Sequence, residues 1–329
     1  MERVLVRIPN WLGDALLARP LLHALRRAHP RASIRGVGPK PILELLASDP
    51  VADAWEGWPE RSDARAALIA RLRAWRPDAA LVLPPSFSSA WFAWRAGARV
   101  RIGYGHEGRS LLLTRALPRP ARGERHLSDE YLELGRILGV AACTPPALAV
   151  GSAAMEEARA LLRARGLAGE RIAIVGPGAI YGPAKRWEAE RFVALASALA
   201  RDGFRVLACG APSERALCAE VASRAGSGAL ALAGETGLAV QAALCASAAL
   251  AVCNDSGLAH LAAAVGTPTV VIFGSTSSAW SAPLGPRVRV VQRAPVCAPC
   301  FQRTCVIGYR CLTAIAVADV ERACREVAA

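Results

Sequence analysis

Apolar residues fall along this chain in short unbroken runs that alternate with longer stretches carrying a helical repeat. Runs rich in Val, Ile and Leu at 4–8, 33–37, 79–83, 172–175, 205–208, 249–252 and 269–273 predict strands. They are continuous rather than alternating, as expected for strands covered on both faces. Between them, apolar residues at spacings of three and four predict helices over 14–28, around 188–201, from Pro212 and from Ser256. Strand–helix alternation throughout argues for parallel sheets with helices on both faces. Both periodicities lapse at 142–151 (ACTPPALAVG), where proline and small residues take over. The chain of 329 residues is therefore expected to form two doubly wound domains, 1–150 and 151–329. In such domains ligands sit outside the carboxyl ends of the strands.

Four strand-following stretches carry candidate chemistry. The first, RIPNWLGD at 7–14, leaves a strand, turns through Pro9, Asn10 and Gly13, and reaches Asp14. Asp14 suits a helix N-cap, and it equally suits a general base that takes a proton from a bound hydroxyl. The second, NDSGLAH at 254–260, opens an alanine-rich helix at Ser256-Gly257 and places His260 one turn in. Small residues at a helix N-terminus let backbone N–H groups reach a phosphate, although an ordinary capped helix with a buried histidine reads the same way. The third, GPGAIYGPAKRW at 176–187, sets Lys185 and Arg186 in a turn punctuated by Gly and Pro. It lacks the Gly-Lys-Ser/Thr order of a Walker loop, and Tyr181 stands where a dinucleotide fingerprint needs glycine. Lys185 is a mobile point charge suited to a diphosphate, and Arg186 fits a salt bridge or a surface role as well as chemistry. The fourth holds Cys297, Cys300, Cys305 and Cys311. Only the first spacing is typical of a metal site, so thiols packing a C-terminal loop are the expectation, and no metal is expected.

Composition sharpens this in two respects. The formal charge is +13, with 22 basic and 14 acidic residues through position 150, so the surface suits an anionic partner. Thirty-eight of the forty basic residues are arginine, a bias that weakens charge as a functional signal. Neither a basic run nor basic–aromatic interleaving points to nucleic acid. Arg7, Pro9 and Asp14 interrupt the first apolar segment, and no stretch approaches ~20 apolar residues, so neither a secretory signal nor a membrane span is expected. With ten cysteines read as reduced thiols, the expected location is the cytoplasm.

In order along the chain stand NWLGD (10–14), LPPSF (83–87), PGAIYGPAKRW (177–187), LAGET (232–236) and NDSGLAH (254–260). Together they resemble glycosyltransferase family 9, and its heptosyltransferases in particular, over nearly the whole length. The resemblance implies a GT-B fold: two Rossmann-like, doubly wound parallel-sheet domains facing a central crevice, the first for the acceptor and the second for the nucleotide sugar. It implies inverting transfer of L-glycero-D-manno-heptose from ADP-heptose to the lipopolysaccharide inner core, as the second heptose. The donor is a substrate and no cofactor is implied; the anionic inner leaflet is the implied peripheral partner. Matched by motif, Asp14 would be the base and Lys185 would neutralise the departing diphosphate. Asp255 would hold sugar hydroxyls, with Ser256, Gly257 and His260 at the phosphates. Gly178 and Tyr181 would line the donor site, Glu214 would meet the ribose, and Glu235 and Thr236 would border the adenine. Asn10, Trp11 and Ser86 would face the acceptor. Ile180 departs from the family pattern, where a polar residue is common. The alternatives are a family 9 transferase with another donor or acceptor, a GT-B nucleotide-sugar epimerase, and a non-catalytic polyanion-binding protein.

Overall fold

A computed structural model describes residues 1–106, 108–226 and 228–328. The chain divides into two compact units, Met1–Pro146 and Ala147–Ala329.

In the first unit six strands form one parallel sheet: β1 (Arg3–Arg7), β2 (Ser33–Gly38), β3 (Ala54–Gly57), β4 (Ala79–Val82), β5 (Val100–Gly105) and β6 (Arg115–Pro118), in the order β3-β2-β1-β4-β5-β6. The second unit repeats the plan with β7 (Ile172–Gly176), β8 (Arg205–Ala208), β9 (Ala229–Ala231), β10 (Leu250–Asn254), β11 (Thr269–Phe273) and β12 (Val288–Gln292), ordered β12-β11-β10-β7-β8-β9. In each sheet the direction of winding reverses between the first and fourth strands, β1/β4 and β7/β10. That reversal is the topological switch point, where loops diverge and leave a crevice at the strand ends.

The unbroken apolar runs follow from burial on both faces. Along β7, Ala173 and Val175 join a core with Phe192, Leu195 and Leu199. The alternate residues Ile172 and Ile174 join the opposite core with Leu162, Val240 and Leu244. The first sheet buries Leu5, Ala80 and Val82 against Leu68, Leu72 and Phe92.

One expected element divides. The helix foreseen over 14–28 is two helices, Leu12–Leu17 and Arg19–Ala28, joined at Ala18. Pro20 sits in the first turn of the second, where its missing N–H costs nothing because that group has no partner within the helix. A buried ion pair anchors this second helix: Arg19 Nε lies 2.5 Å from Asp49 Oδ2, and Arg19 Nη2 donates to Asp49 Oδ1 at 3.0 Å. Burial pushes the Asp49 carboxyl up, but His23 at 3.3 Å and the forked Arg19 outweigh it and hold the group below its ordinary value.

Candidate functional site

The loop after β1 places Asp14 in the first turn of the helix Leu12–Leu17, not ahead of it. The capping position is Trp11, which is extended and caps with no side-chain hydrogen bond, so the N-cap expectation for Asp14 is corrected. Two residues further into the turn, the half-buried carboxylate still gains from the positive helix end. Burial first, then the Asp14 charge, pushes the Tyr131 phenol well above its ordinary value. Asp14 therefore acts electrostatically on the interior as well as on the loop. Trp11 itself is half exposed.

Asn10 and Ser86 come together at the switch point of the first sheet. They line a cavity of about 300 Å³ with Arg7, Trp58, Ser88 and Ser89. Arg7 Nη2 donates to Asn10 Oδ1 at 2.7 Å, which orients the amide. Ser86 caps the helix Phe87–Arg95, its hydroxyl accepting from the Ser89 N–H at 3.3 Å. Neither Trp11 nor Asp14 lines this cavity. Arg7 and Ser88 went unrecognised in the sequence, where a charge closing an apolar strand reads as a solvated end.

In the second unit the loops after β7 and β10 meet at the other switch point. Asn254, fully buried, donates from Nδ2 to Pro177 O at 2.7 Å and accepts the Trp187 N–H at 3.0 Å. One amide thus fixes both ends of the loop that carries Lys185. Trp187 anchors that loop in turn, buried and donating from Nε1 to Ile315 O at 3.0 Å. Lys185 Nζ lies 2.6 Å from Asp255 Oδ2, and Thr276 Oγ1 donates to the same oxygen at 2.5 Å. Asp255 is almost wholly buried while Lys185 keeps some exposure, so the carboxylate serves as a fixed anchor and the ammonium faces outward. The Lys185 ammonium also stands 4.9 Å from the centre of the Tyr181 ring.

Beside this pair, Ser256 is the N-cap of the helix Gly257–Ala264, and its side chain makes no capping hydrogen bond. The first-turn N–H groups are therefore not covered by their own cap. His260 lies buried one turn in.

Glu214 follows β8 and accepts the Ala211 N–H through Oε2 at 2.8 Å. Its other oxygen is buried with no hydrogen-bond partner. A Cβ on Gly178 would sit 2.2 Å from this carboxyl group, so only glycine lets the loop after β7 close on it. The loop with Glu235 and Thr236 abuts the same turn through the Gly234 N–H to Gly210 O bond of 3.2 Å. Glu235 is nonetheless ion-paired with Arg165 at 2.6 Å, and Thr236 bonds Gln241 at 3.3 Å.

The cysteine-rich segment meets this site through its backbone. Arg303 O accepts the Ala184 N–H at 3.0 Å, Phe301 O accepts the Tyr181 hydroxyl at 2.5 Å, and Gln302 O accepts the Ser275 hydroxyl at 2.9 Å. At Gly182 a Cβ would meet Arg303 O at 2.5 Å, which explains that glycine. The expectation of packed thiols is corrected in part: Cys311 is buried, but Cys297 and Cys300 are exposed. Among the described residues no group of three or more His, Cys, Asp or Glu could hold a metal ion. Arg186 also gains a local task, donating from Nε to Ala179 O at 3.1 Å across the loop.

Similarity to known proteins agrees with this arrangement. The family model for glycosyltransferase family 9 (heptosyltransferase) matches residues 65–309. Lipopolysaccharide heptosyltransferase 2 of Salmonella typhimurium is 32% identical over 307 residues, 88% of each chain. The Escherichia coli ADP-heptose LPS heptosyltransferase II structure superposes with a TM-score of 0.82 at 27% identity, covering 99% of this chain and 98% of that one. A family 9 structure from Veillonella parvula gives 0.87 at 22% identity over 99% and 97%, a likeness of fold. Two doubly wound parallel sheets with these neighbours define the GT-B fold. The motifs at both switch points, the family match over three-quarters of the chain and the relatives of nearly full length lead to one conclusion: the chain belongs to glycosyltransferase family 9.

Proposed function

We propose that this glycosyltransferase moves L-glycero-D-manno-heptose from ADP-heptose to the lipopolysaccharide inner core, adding the second heptose with inversion. The observation that carries the donor half is the Lys185–Asp255 pair beside the uncapped helix N-terminus. Lys185 and the N–H groups at Ser256 and Gly257 supply positive charge where a departing diphosphate gains negative charge. In the single displacement Asp14 takes the proton of the acceptor hydroxyl. The hydroxyl oxygen attacks the anomeric carbon, the bond from that carbon to the diphosphate breaks, and ADP leaves with its electrons. One attack from the face opposite ADP inverts the anomeric centre.

Within the second unit Glu214 directs its open carboxylate oxygen to the ribose hydroxyls. Asp255 holds the sugar, His260 lies near the phosphates, Gly178 and Tyr181 line the donor pocket, and Glu235 and Thr236 edge the adenine. The first unit takes the acceptor through Asn10, Trp11 and Ser86. No metal or cofactor is needed, since Lys185 and the helix end carry the charge; EDTA is expected to leave turnover unchanged. The net charge of +13 supports peripheral attachment to the anionic inner leaflet from the cytoplasmic side. Among the described residues no helix is long and apolar enough to cross a membrane.

The test offers ADP-heptose, and separately UDP-sugars, with core acceptors bearing no heptose or one. Transfer from ADP-heptose to the one-heptose core, with inverted configuration in the product, is the expected result. Transfer only from a UDP-sugar would select another family 9 specificity, and acceptor-independent release of free sugar would select an epimerase.

A further inference from the structure

The first unit holds two positive charges that the transfer mechanism does not use. Arg7 closes β1, is 5% exposed, and lines the cavity at the β1/β4 switch point. Its Nη1 donates to the carbonyls of Ile8 and Val37, its Nη2 to Asn10 Oδ1, and its guanidinium carbon lies 5.1 Å from the Trp58 ring centre. Arg109 is wholly buried, with Nη1 donating to Pro84 O at 2.7 Å while Nε and Nη2 have no hydrogen-bond partner. Among the described residues neither arginine forms an ion pair with a carboxylate. Burial lowers both to about 10, with Arg119 adding to the effect at Arg109, so both remain cations at neutral pH.

The two are linked through one loop. Pro84 O, which receives Arg109, also accepts the Ser89 hydroxyl at 2.8 Å, and Ser89 lines the cavity with Arg7. Ser86 and Ser88 stand in the same wall, their hydroxyls 3.1 Å apart, at the start of the helix Phe87–Arg95. A buried cation without a counter-charge is unfavourable unless some ligand completes it. Here every feature around the cavity favours an anion: one guanidinium in the wall, a second behind it, three hydroxyls and a positive helix end. Trp58 offers a flat apolar wall of the kind that covers a sugar face. At about 300 Å³ the cavity admits a monosaccharide as well as a bare ion.

We propose that this cavity binds an oxyanion-bearing sugar, its phosphate or carboxylate gripped by Arg7 and the Ser86, Ser88 and Ser89 hydroxyls over the deeper charge of Arg109. That the anion belongs to the transfer acceptor rests on the transferase reading above; the anion site itself does not.

The test titrates the full-length protein with mannose 6-phosphate, glucuronate and uncharged mannose, following heat or tryptophan fluorescence. Saturable binding of at least one charged sugar, and none of mannose, is expected. Arg7→Gln should weaken it by about 10- to 100-fold, the range lost with one charge-assisted contact. Arg7→Lys should fall between, because it keeps the charge and loses the fork. Ser88→Ala changes an exposed residue without threat to the fold and should weaken binding a few-fold. No charged-sugar binding, or Arg7→Gln and Ser88→Ala variants that bind like the parent, would overturn the proposal. A second arm measures transfer to core acceptor that has been dephosphorylated or carboxyl-reduced. Loss of the recognised anion should raise acceptor KM in the parent and have no further effect in Arg7→Gln, which identifies the source. Charged-sugar binding without transfer to any acceptor would uphold the cavity and sink the transferase reading instead.

Discussion

The two switch points share a strand order and differ in how they treat charge. At β7/β10 the cation has a built-in partner: Lys185 lies against Asp255, and Thr276 completes the carboxylate. At β1/β4 the cation has none, and Arg7 is satisfied only by carbonyls and an amide. The topology fixes where the strand-end loops diverge, and the loop residues decide what each crevice attracts. A pre-paired lysine is held in one place and can be shared with an arriving diphosphate. An unpaired buried arginine leaves its crevice net positive until an anion arrives.

The largest effect should come from neither cation. Asp14→Asn removes the proposed base and keeps the shape of the helix Leu12–Leu17. Turnover should fall by about 10²- to 10⁴-fold while ADP-heptose affinity holds. Unchanged turnover in a steady-state assay would remove Asp14 from the mechanism and leave the β1 loop a binding element only.

Lys185→Ala comes next. It should lower kcat by about 10²- to 10³-fold, the scale of losing one charge that stabilises a leaving group. It also leaves Asp255 buried and alone, which costs about 3–5 kcal/mol of stability in chemical denaturation. Asp255→Asn sharpens the comparison, since it should lower kcat without weakening ADP. An effect of Lys185→Ala confined to acceptor KM would place the lysine elsewhere.

A purely structural pair gives the third contrast. Asp49→Ala strands Arg19, and a loss of about 3–5 kcal/mol is expected. The Asp49 carboxyl is held below its ordinary value in the fold. Its contribution is therefore present above the unfolded value, near pH 4, and is lost as pH falls through the folded one. Parent and variant stabilities should converge in acid, as urea unfolding measured from pH 7 to 3 would reveal; curves that stay parallel would contradict the linkage.

Smallest of all, Arg186→Ala removes one bond to Ala179 O from an exposed side chain and should cost no more than about 1 kcal/mol. A catalytic defect at constant stability would give Arg186 chemistry after all.

Local pattern revealed the central strands because burial on both faces leaves no ambiguity. The runs at 205–208 and 269–273 coincide with β8 and β11. The edge strands β3 (AWEG) and β6 (RALP) were invisible, being short, half-covered and mixed in character. The single helix foreseen over 14–28 failed at Ala18, where a Pro two residues later starts a new helix. In the site, Lys185 was legible from its Gly/Pro-rich loop. Its partner Asp255 was not, because seventy residues separate the two and only the sheet order brings β7 beside β10. Arg7 was quoted as the end of a strand and passed over, since no local signal tells a buried strand-end arginine from a solvated one.

The account's central claim is that the second switch point, through Lys185, holds the diphosphate of the donor. ADP titrated calorimetrically into the parent, Lys185→Ala and Arg7→Gln tests this most directly. The prediction is a loss of at least about 10-fold in affinity for Lys185→Ala and no change for Arg7→Gln. ADP bound equally by the parent and Lys185→Ala, or weakened by Arg7→Gln instead, would contradict it.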